Sequence, residues 1–225
     1  MNVNEALNYF LSKVAPELDA LGLIRNKKGN SWIIKDGPFK LVLDINVSPG
    51  LSNKSSVLFH TIFNIYRDDL SDYVLVLENF LREKKSMPSL KNKRPLLGVT
   101  DWLEIYQENN KTDSGVWFAT LAEVDGNKNF EKDFQELIGF ALFYFSECKR
   151  LDFCLDKLKN RGFLSSNLAF VALASSIGRE FLHEKYSELQ QANFGKVGWN
   201  ESEMKSALHF LEKNPQSLFF LHNQI

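Results

Sequence analysis

The chain has few of the residues from which most recognisable chemical sites are built. Its 225 residues include two cysteines and four histidines. It contains no glycine-rich phosphate loop, no HExxH or paired CxxC metal motif and no GxSxG nucleophile turn. These absences lower the expectation of an enzyme without excluding one, because distant residues can also assemble a site. The sequence therefore predicts no catalytic residue, no metal site and no cofactor.

An excess of charge of one sign is also missing. The chain carries 27 basic and 28 acidic residues, a formal net charge of −1, which excludes a globally basic nucleic-acid binder. Its longest apolar runs, such as residues 168–173, fall far short of the roughly 20 residues that cross a bilayer. Residues 1–5 lack the basic flank and apolar core of a secretory signal. We therefore expect a cytoplasmic protein with no membrane association and without nucleic acid as its main partner.

The two cysteines, Cys148 and Cys154, lie six residues apart in a predicted helical region. Side chains at that spacing point to different faces of a helix. We expect both to be buried, reduced thiols and neither a disulfide nor a metal-binding pair.

The most informative pattern runs from Trp32 to Tyr66, where apolar and polar residues alternate on both sides of a loop rich in Ser, Pro, Gly and Asn. A period of two predicts antiparallel strands with one buried face. The 19 phenylalanines suit a packed interior of sheet on helix. The positions expected on the buried face are Leu41, Leu43, Ile45, Val47, Val57, Phe59, Thr61, Phe63 and Ile65.

Apolar residues at helical spacing predict several helices, and turn residues separate them from the strands. The first helix is expected to be capped by Asn4, kinked or split by Pro16 and ended by Gly22. Asn200, with Glu203 three residues on, predicts a capping box. The predicted helices cover about residues 4–21, 69–81, 127–159, 163–191 and 200–213. The predicted strands cover about residues 32–35, 39–47, 56–66, 96–106 and 116–124.

These elements predict an α+β fold: an antiparallel sheet of four or five strands covered on one face by helices, with a C-terminal helical extension. We expect an α+β sheet domain over residues 1–160 and a helical extension over residues 163–225 packed on it. The apolar tail, residues 216–225, is expected to dock either on the core or on a partner. The oligomeric state stays open.

The order of elements also carries a resemblance to a known family. Three segments are involved: Leu21 to Trp32 with its Leu-Gly-Leu start, the strands Leu43–Ser48 and Phe59–Ile65, and Val116-Trp117-Phe118 with the following helix. They resemble the leading helix, paired central strands and closing strand of the domain of unknown function 4304 family of bacterial proteins, over about residues 4–158. The resemblance implies an α+β antiparallel-sheet fold and a bacterial origin. It implies no established activity and transfers no catalytic residue.

The first candidate site is the polar face of the strand pair. If the loop is centred near Ser52, Asp44 lies opposite His60, and a carboxylate beside an imidazole raises the His pKa and orients it as a base. The simpler interpretation is a solvated sheet face with ordinary cross-strand pairs. The candidate binding residues of this face are Lys40, Asp44, Asn46, His60 and Asn64.

The second candidate site is the basic loop from Lys84 to Arg94, in which Lys91, Lys93 and Arg94 are the candidate binding residues. Such a loop can contact phosphates or an acidic protein surface. It carries no interleaved aromatic residues for base stacking. A block of like charges in a loop is also commonly just solvated.

We therefore expect a cytosolic, non-enzymatic protein-interaction module, of the kind that shields or neutralises a partner protein in bacterial competition (an immunity-type function). An alternative is an enzyme that acts on a small polar or phosphorylated substrate through Asp44 and His60. A further alternative is weak nucleic-acid binding through the basic loop, residues 84–94.

Overall fold

The structure is a computed structural model that describes residues 3–26, 30–49, 57–97, 117–120, 130–196 and 199–214. The contacts between Cα atoms divide the chain into two compact units. The first, Met1–Ile65 with Gly98–Phe145, is called the sheet unit below, and the second, Tyr66–Leu97 with Ser146–Ile225, is called the helical unit.

The described residues form an α+β fold with one five-stranded antiparallel sheet, as the sequence predicts. The sheet order follows the chain, β1-β2-β3-β4-β5. The strands are β1 Ile24–Arg25, β2 Ser31–Asp36, β3 Phe39–Pro49, β4 Val57–Arg67 and β5 Trp117–Thr120. The helices are α1 Val3–Ala20, α2 Asp68–Lys84, α3 Phe130–Glu147, α4 Leu151–Asn160, α5 Leu164–Ser175, α6 Arg179–Asn193 and α7 Glu201–Lys213. The predicted strand over residues 96–106 falls largely outside the described residues.

The alternating pattern produces the expected two-sided sheet. Leu41, Leu43 and Ile45 of β3 are buried, and so are Phe63 and Ile65 of β4. Helix α1 contacts β3, and its stripe of buried apolar residues lies on that side because positions spaced three and four apart share one helix face. The sheet therefore hides one face under a helix, which confirms this part of the predicted architecture.

Two further contacts hold the sheet unit together. Trp32 is fully buried, and its indole Nε1 donates to the Asp19 carboxylate of α1 at 3.1 Å. Phe10 of α1 meets Phe134 of α3 edge to face, with the ring centroids 6.2 Å apart. Aromatic pairs favour this arrangement because the ring edge is positive and the ring face negative. The two helices are thus anchored to each other through the sheet unit's core.

The turn between β2 and β3 is the tight hairpin that Asp36-Gly37-Pro38 predicts. Asp36 pairs with Phe39, which leaves Gly37 and Pro38 as a two-residue loop. Gly37 has a φ of +55°, a conformation that costs glycine nothing because it has no Cβ. Proline holds its φ near −65°, as the second position of a type II′ turn requires.

The predicted start of α1 at Asn4 is wrong, and its predicted end at Gly22 is confirmed. The helix begins at Val3, so Asn4 lies inside it and is not its cap, and Pro16 does not split it. At the other end the N–H of Leu23 donates to the Leu18 carbonyl and that of Gly22 to Asp19. With Gly22 at a φ of +79°, this is the Schellman arrangement that satisfies the last carbonyls of a helix.

Two predicted long helices are each broken in the structure. The segment predicted over residues 127–159 forms α3 and α4, because turn hydrogen bonds from Lys149 to Ser146 and from Arg150 to Glu147 interrupt the ladder. The segment predicted over residues 163–191 forms α5 and α6, because Gly178 takes a φ of +152° that no helix contains. Residues 127–129 lie outside the described residues.

Both cysteines are buried and free, as predicted. The thiol of Cys154 in α4 donates to the backbone carbonyl of Cys148 at 2.7 Å. A buried thiol with a backbone partner acts as a small apolar residue with one weak donor. Among the described helices, none is long and apolar enough to cross a lipid bilayer.

Helix α5 is the centre of the helical unit. It is buried continuously from Ser166 to Ala174 and contacts α2, α4, α6 and α7. A helix that is apolar on all sides needs neighbours on all sides. Helices α2 and α4, which precede the predicted boundary near residues 160–163, pack around α5.

The central helix generates a stability prediction. Leu168 of α5 is fully buried, so we expect Leu168→Ala to lower the free energy of unfolding by about 2–5 kcal/mol through lost burial and the cavity left behind. Val76→Ala in α2, whose side chain is 48% exposed, should change it by less than about 0.5 kcal/mol. Urea unfolding followed by circular dichroism measures both, and an equal loss in the two variants would contradict the central role of α5.

One of the two hydrogen bonds of the capping box predicted at Asn200 is present. The Asn200 side-chain oxygen accepts a hydrogen bond from the Glu203 N–H at 3.1 Å, which satisfies one of the open donors at the start of α7. The Glu203 carboxylate does not accept the reciprocal hydrogen bond from the N–H of Asn200. It pairs with Lys85 instead.

We expect Asn200→Ala to lower the free energy of unfolding by about 1 kcal/mol, since the N–H of Glu203 then loses its acceptor. Ser202→Ala, at an exposed position in the same turn, is the matched control and should be close to neutral. Thermal unfolding of both variants checks the prediction. A control variant as unstable as Asn200→Ala would show that the cap is not the cause.

Candidate functional site

Of the predicted catalytic pair on the polar sheet face, the structure describes the side chain of Asp44 but not that of His60. Asp44 accepts a hydrogen bond from the Ser31 hydroxyl of β2, because these residues are register partners. The backbone of His60 lies in β4 opposite Phe118, but its side chain lies outside the described residues. The Asp44–His60 pair therefore stays a prediction. The hydrogen-bond partner that the structure shows for Asp44 is Ser31.

The other predicted residues of this face occupy ordinary sheet positions. Lys40 is half-buried and pairs in register with Lys35. Asn46 is exposed and Asn64 is half-buried. In the part of the sheet that the structure describes, these positions do not bring Lys40, Asn46 and Asn64 together in one site.

The basic loop is folded back onto α2. The Asn79 side chain accepts from the N–H of Leu90 at 2.7 Å and donates to its carbonyl at 3.2 Å. Arg82 Nε donates to the carbonyl of Pro88 at 2.6 Å. These bonds clamp the loop at two points, so its cations hold defined positions beside the helix.

The three predicted loop cations have different surroundings. Lys93 Nζ lies 2.8 Å from the Asp72 carboxylate, and this hydrogen-bonded neighbour raises the pKa of Lys93. Arg94 Nε lies 3.8 Å from Oε2 of Glu78. Lys91 is exposed. Arg94 also lines a concave surface.

That surface is a cleft of about 550 Å³, called the basic cleft below, between α2, the loop, the start of α5 and the start of α7. All of these elements belong to the helical unit. Its charged lining residues are the cations Arg82, Lys85, Arg94 and Arg161 and the carboxylates Glu78 and Glu203. Cations therefore outnumber carboxylates among the residues that line this concave surface.

The start of α5 adds backbone donors to the same cleft. Leu164, Ser165 and Ser166 line it, and the residue before them, Phe163, provides no side-chain cap. The first N–H groups of any α-helix have no partner inside the helix. Together with the helix dipole they favour an anion at this end.

Glu78 lies in the cleft wall as a buried carboxylate. It is 8% exposed, and its Oε2 accepts no hydrogen bond from the residues that the structure describes. Burial raises the pKa of the Glu78 carboxyl above its usual 4.5, and the charges of Arg94 and Arg82 oppose that rise in part. A buried carboxylate without a donor is costly to keep ionised.

Glu203 is the second carboxylate of the cleft, and it has a close partner. It forms an ion pair with Lys85, at the place where the end of α2 meets the start of α7. The pair neutralises one cation and one carboxylate of the lining. Arg94 has Glu78 as its carboxylate neighbour in the lining, and Arg82 donates to the Pro88 carbonyl.

Sequence reasoning found Arg94 and the loop but missed most of the cleft. Glu78, Arg82 and Lys85 follow one another at intervals of four and three residues on α2, which places them on one helix face. The spacing of these three residues could therefore have been recognised in the sequence. No sequence pattern indicates Arg161 and Ser166, since only the packing of α5 brings them beside α2.

A second large cleft of the helical unit, of about 660 Å³, has an apolar floor that includes Leu151, Leu155, Phe170 and Phe181. Its rim cations have carboxylate neighbours: Arg150 lies 2.8 Å from Asp152, and Lys185 lies 2.5 Å from Glu188. This cleft has no net charge to select a partner. Within the described part of the chain, no group of three His, Cys, Asp or Glu side chains is placed to hold a metal ion.

Comparison with known proteins adds no relative to this picture. No protein-family model, curated protein or solved structure matches the chain. The resemblance to the domain of unknown function 4304 family therefore stays a prediction from the sequence.

The raised pKa of Glu78 generates a pH prediction. The folded protein keeps a proton on Glu78 at pH values where the unfolded chain has released it, so stability from this group is full below pH 4.5 and is lost as pH rises through the folded pKa. We expect Glu78→Gln to be more stable than the unchanged chain by a larger margin near pH 7 than near pH 4. Urea unfolding across this range measures the margin, and parallel pH profiles would contradict the prediction.

Proposed function

We propose that this protein is a non-enzymatic interaction module whose basic cleft binds an acidic segment of a partner protein. The observation that carries the proposal is a cleft of about 550 Å³ that is lined by Arg82, Lys85 and Arg94 and also receives the N-terminus of α5. Carboxylates suit both features. Arginine binds them with paired N–H groups, and a helix N-terminus attracts negative charge.

The rim of the cleft favours a protein partner over nucleic acid. Phe163 is 59% exposed and Met87 is 44% exposed, and both line the basic cleft. Aromatic residues, Met and Arg are the residue types enriched at protein interfaces. A partner segment with acidic and apolar side chains would use the cations and these two side chains together.

The class of partner follows from the sequence analysis. A protein that shields or neutralises another in bacterial competition needs a binding surface and no reaction chemistry, and the basic cleft provides such a surface. The cytoplasmic location, the bacterial origin and the family resemblance belong to the same proposal. Weak binding of nucleic acid is an outcome that the experiment below distinguishes.

The test replaces a cleft cation and a matched loop cation outside the cleft. Arg94→Gln should lower the affinity for a short fluorescein-labelled oligoglutamate peptide at least about fivefold, corresponding to roughly 1 kcal/mol. Lys91→Gln removes the same charge from the exposed loop surface and should change the affinity less than about twofold. Fluorescence anisotropy at fixed ionic strength measures both.

Three outcomes would contradict the proposal. Equal losses in the two variants would mean that only general charge attracts the peptide. No binding of the peptide by the unchanged chain would remove the acidic segment. Tighter binding of a labelled single-stranded oligonucleotide, lost in both variants, would favour nucleic acid instead.

A further inference from the structure

We infer that a second copy of this chain docks on the second large cleft of the helical unit, with Phe194 of each copy entering the cleft of the other. This cleft, called the apolar cleft below, is lined by residues of α4, α5 and α6. The proposed function uses the basic cleft, so the two conclusions concern different surfaces. The inference depends on three observations: an exposed phenylalanine, a cleft with an apolar floor, and a rim whose charges balance.

Phe194 exposes a large apolar side chain at the end of α6. It is 73% exposed, and its N–H donates to the Gln190 carbonyl at 2.8 Å, so the last turn of the helix fixes its backbone. The preceding residue, Asn193, donates from its side chain to the Lys159 carbonyl at 2.9 Å, and Lys159 lines the apolar cleft. Phe194 therefore lies close to the wall of the cleft to which Lys159 belongs. An aromatic side chain exposed to water gains free energy when a partner surface covers it.

The apolar cleft has the size and the floor to receive such a side chain. Its volume is about 660 Å³, and its floor includes Leu151, Leu155, Phe170 and Phe181. Leu151 and Phe181 are half-buried, so each keeps apolar area in contact with water. Pockets that are apolar at the centre and charged at the edge are where anchor side chains bind at protein interfaces.

The charges around the apolar cleft favour a second copy over a partner of either net charge. The charged lining residues are three cations and three carboxylates: Arg150, Lys159, Lys185, Asp152, Asp156 and Glu188. In a two-fold dimer the same surface meets itself, so the rim must complement its own charges, and equal numbers of both signs meet this condition. The whole chain has a net charge of −1, so two copies repel each other little.

The rim cations also have carboxylate neighbours within their own copy. Lys159 lies 3.9 Å from Asp156, in addition to the two rim pairs described above. An apolar side chain can therefore enter the cleft without leaving a rim charge unpaired. The attraction between the copies then comes from burial of apolar area, which salt does not screen.

Sedimentation equilibrium over a concentration series tests for the dimer. The unchanged full chain should reach twice the mass of one copy, and added salt should not dissociate the dimer. Phe194→Ala should raise the dissociation constant at least about tenfold, because both anchor side chains are lost. The control is Phe143→Ala, which removes a side chain that is 57% exposed and lines neither of the two clefts described. It should change the dissociation constant by less than about twofold.

Mixing two variants tests the reciprocal arrangement. Leu151→Glu puts a carboxylate on the apolar floor at the first residue of α4, where a helix tolerates negative charge. Because Phe194 would then bury this charge, the variant should dimerise at least about tenfold more weakly than the unchanged chain. A mixture with Phe194→Ala should dimerise more tightly than either variant alone, because one intact phenylalanine then meets one intact cleft. Near-ultraviolet circular dichroism confirms that each variant is folded.

Four results would overturn the inference. The unchanged chain could stay monomeric at every concentration, or Phe194→Ala and Phe143→Ala could have equal effects. A mixture that is no tighter than the variants alone would exclude the reciprocal contact. Dissociation by moderate salt would indicate association driven by charge at another surface.

The other occupant of the apolar cleft is a small apolar ligand, and the unchanged chain tests for it. A monomer that binds the uncharged dye N-phenyl-1-naphthylamine, with binding lost in Leu151→Glu, would overturn the second copy and assign the cleft to such a ligand. The peptide test of the basic cleft is separate, so neither result changes the proposed function.

Discussion

The burial of α5 is the constraint on which the helical unit depends. Its side chains from Ser166 to Ala174 are buried on every side, so the helix cannot remain at a surface without exposing apolar area to water. Four other helices contact it. The surface position of its first turn follows from this packing, because a fully surrounded helix can present only its ends. The basic cleft is built around that first turn.

The cleft itself combines a helix face, a folded-back loop and a helix end. Glu78 and Arg82 come from α2, while the bonds between Asn79 and Leu90 hold the loop that carries Arg94. The cleft wall holds a buried carboxylate oxygen, Glu78 Oε2, that accepts no hydrogen bond among the described residues, and a helix end without a side-chain cap. Natural proteins often break such local rules at functional sites, which supports the proposed function.

Much of the fold could be predicted because it depends on local patterns. The alternation in β3 and β4, the Gly37-Pro38 turn and the Asn200 cap each involve residues close in sequence, and each is found in the structure. The helix breaks were missed for a physical reason. Gly178 lies within an otherwise helical pattern, and residue spacing does not show that its φ is positive, because an isolated glycine inside a helical pattern is often tolerated.

The sequence by itself determined the fold class, the antiparallel sheet with one buried face and the lack of any local motif for catalysis or metal binding. These properties follow from periodicity and residue type, which act over a few neighbouring positions. Only the tertiary structure decided which cations meet in a cleft. Arg94 and Arg161 are far apart in the chain and share a site because α5 must be surrounded. Long-range packing makes that choice, since the burial of apolar area has no direction along the chain.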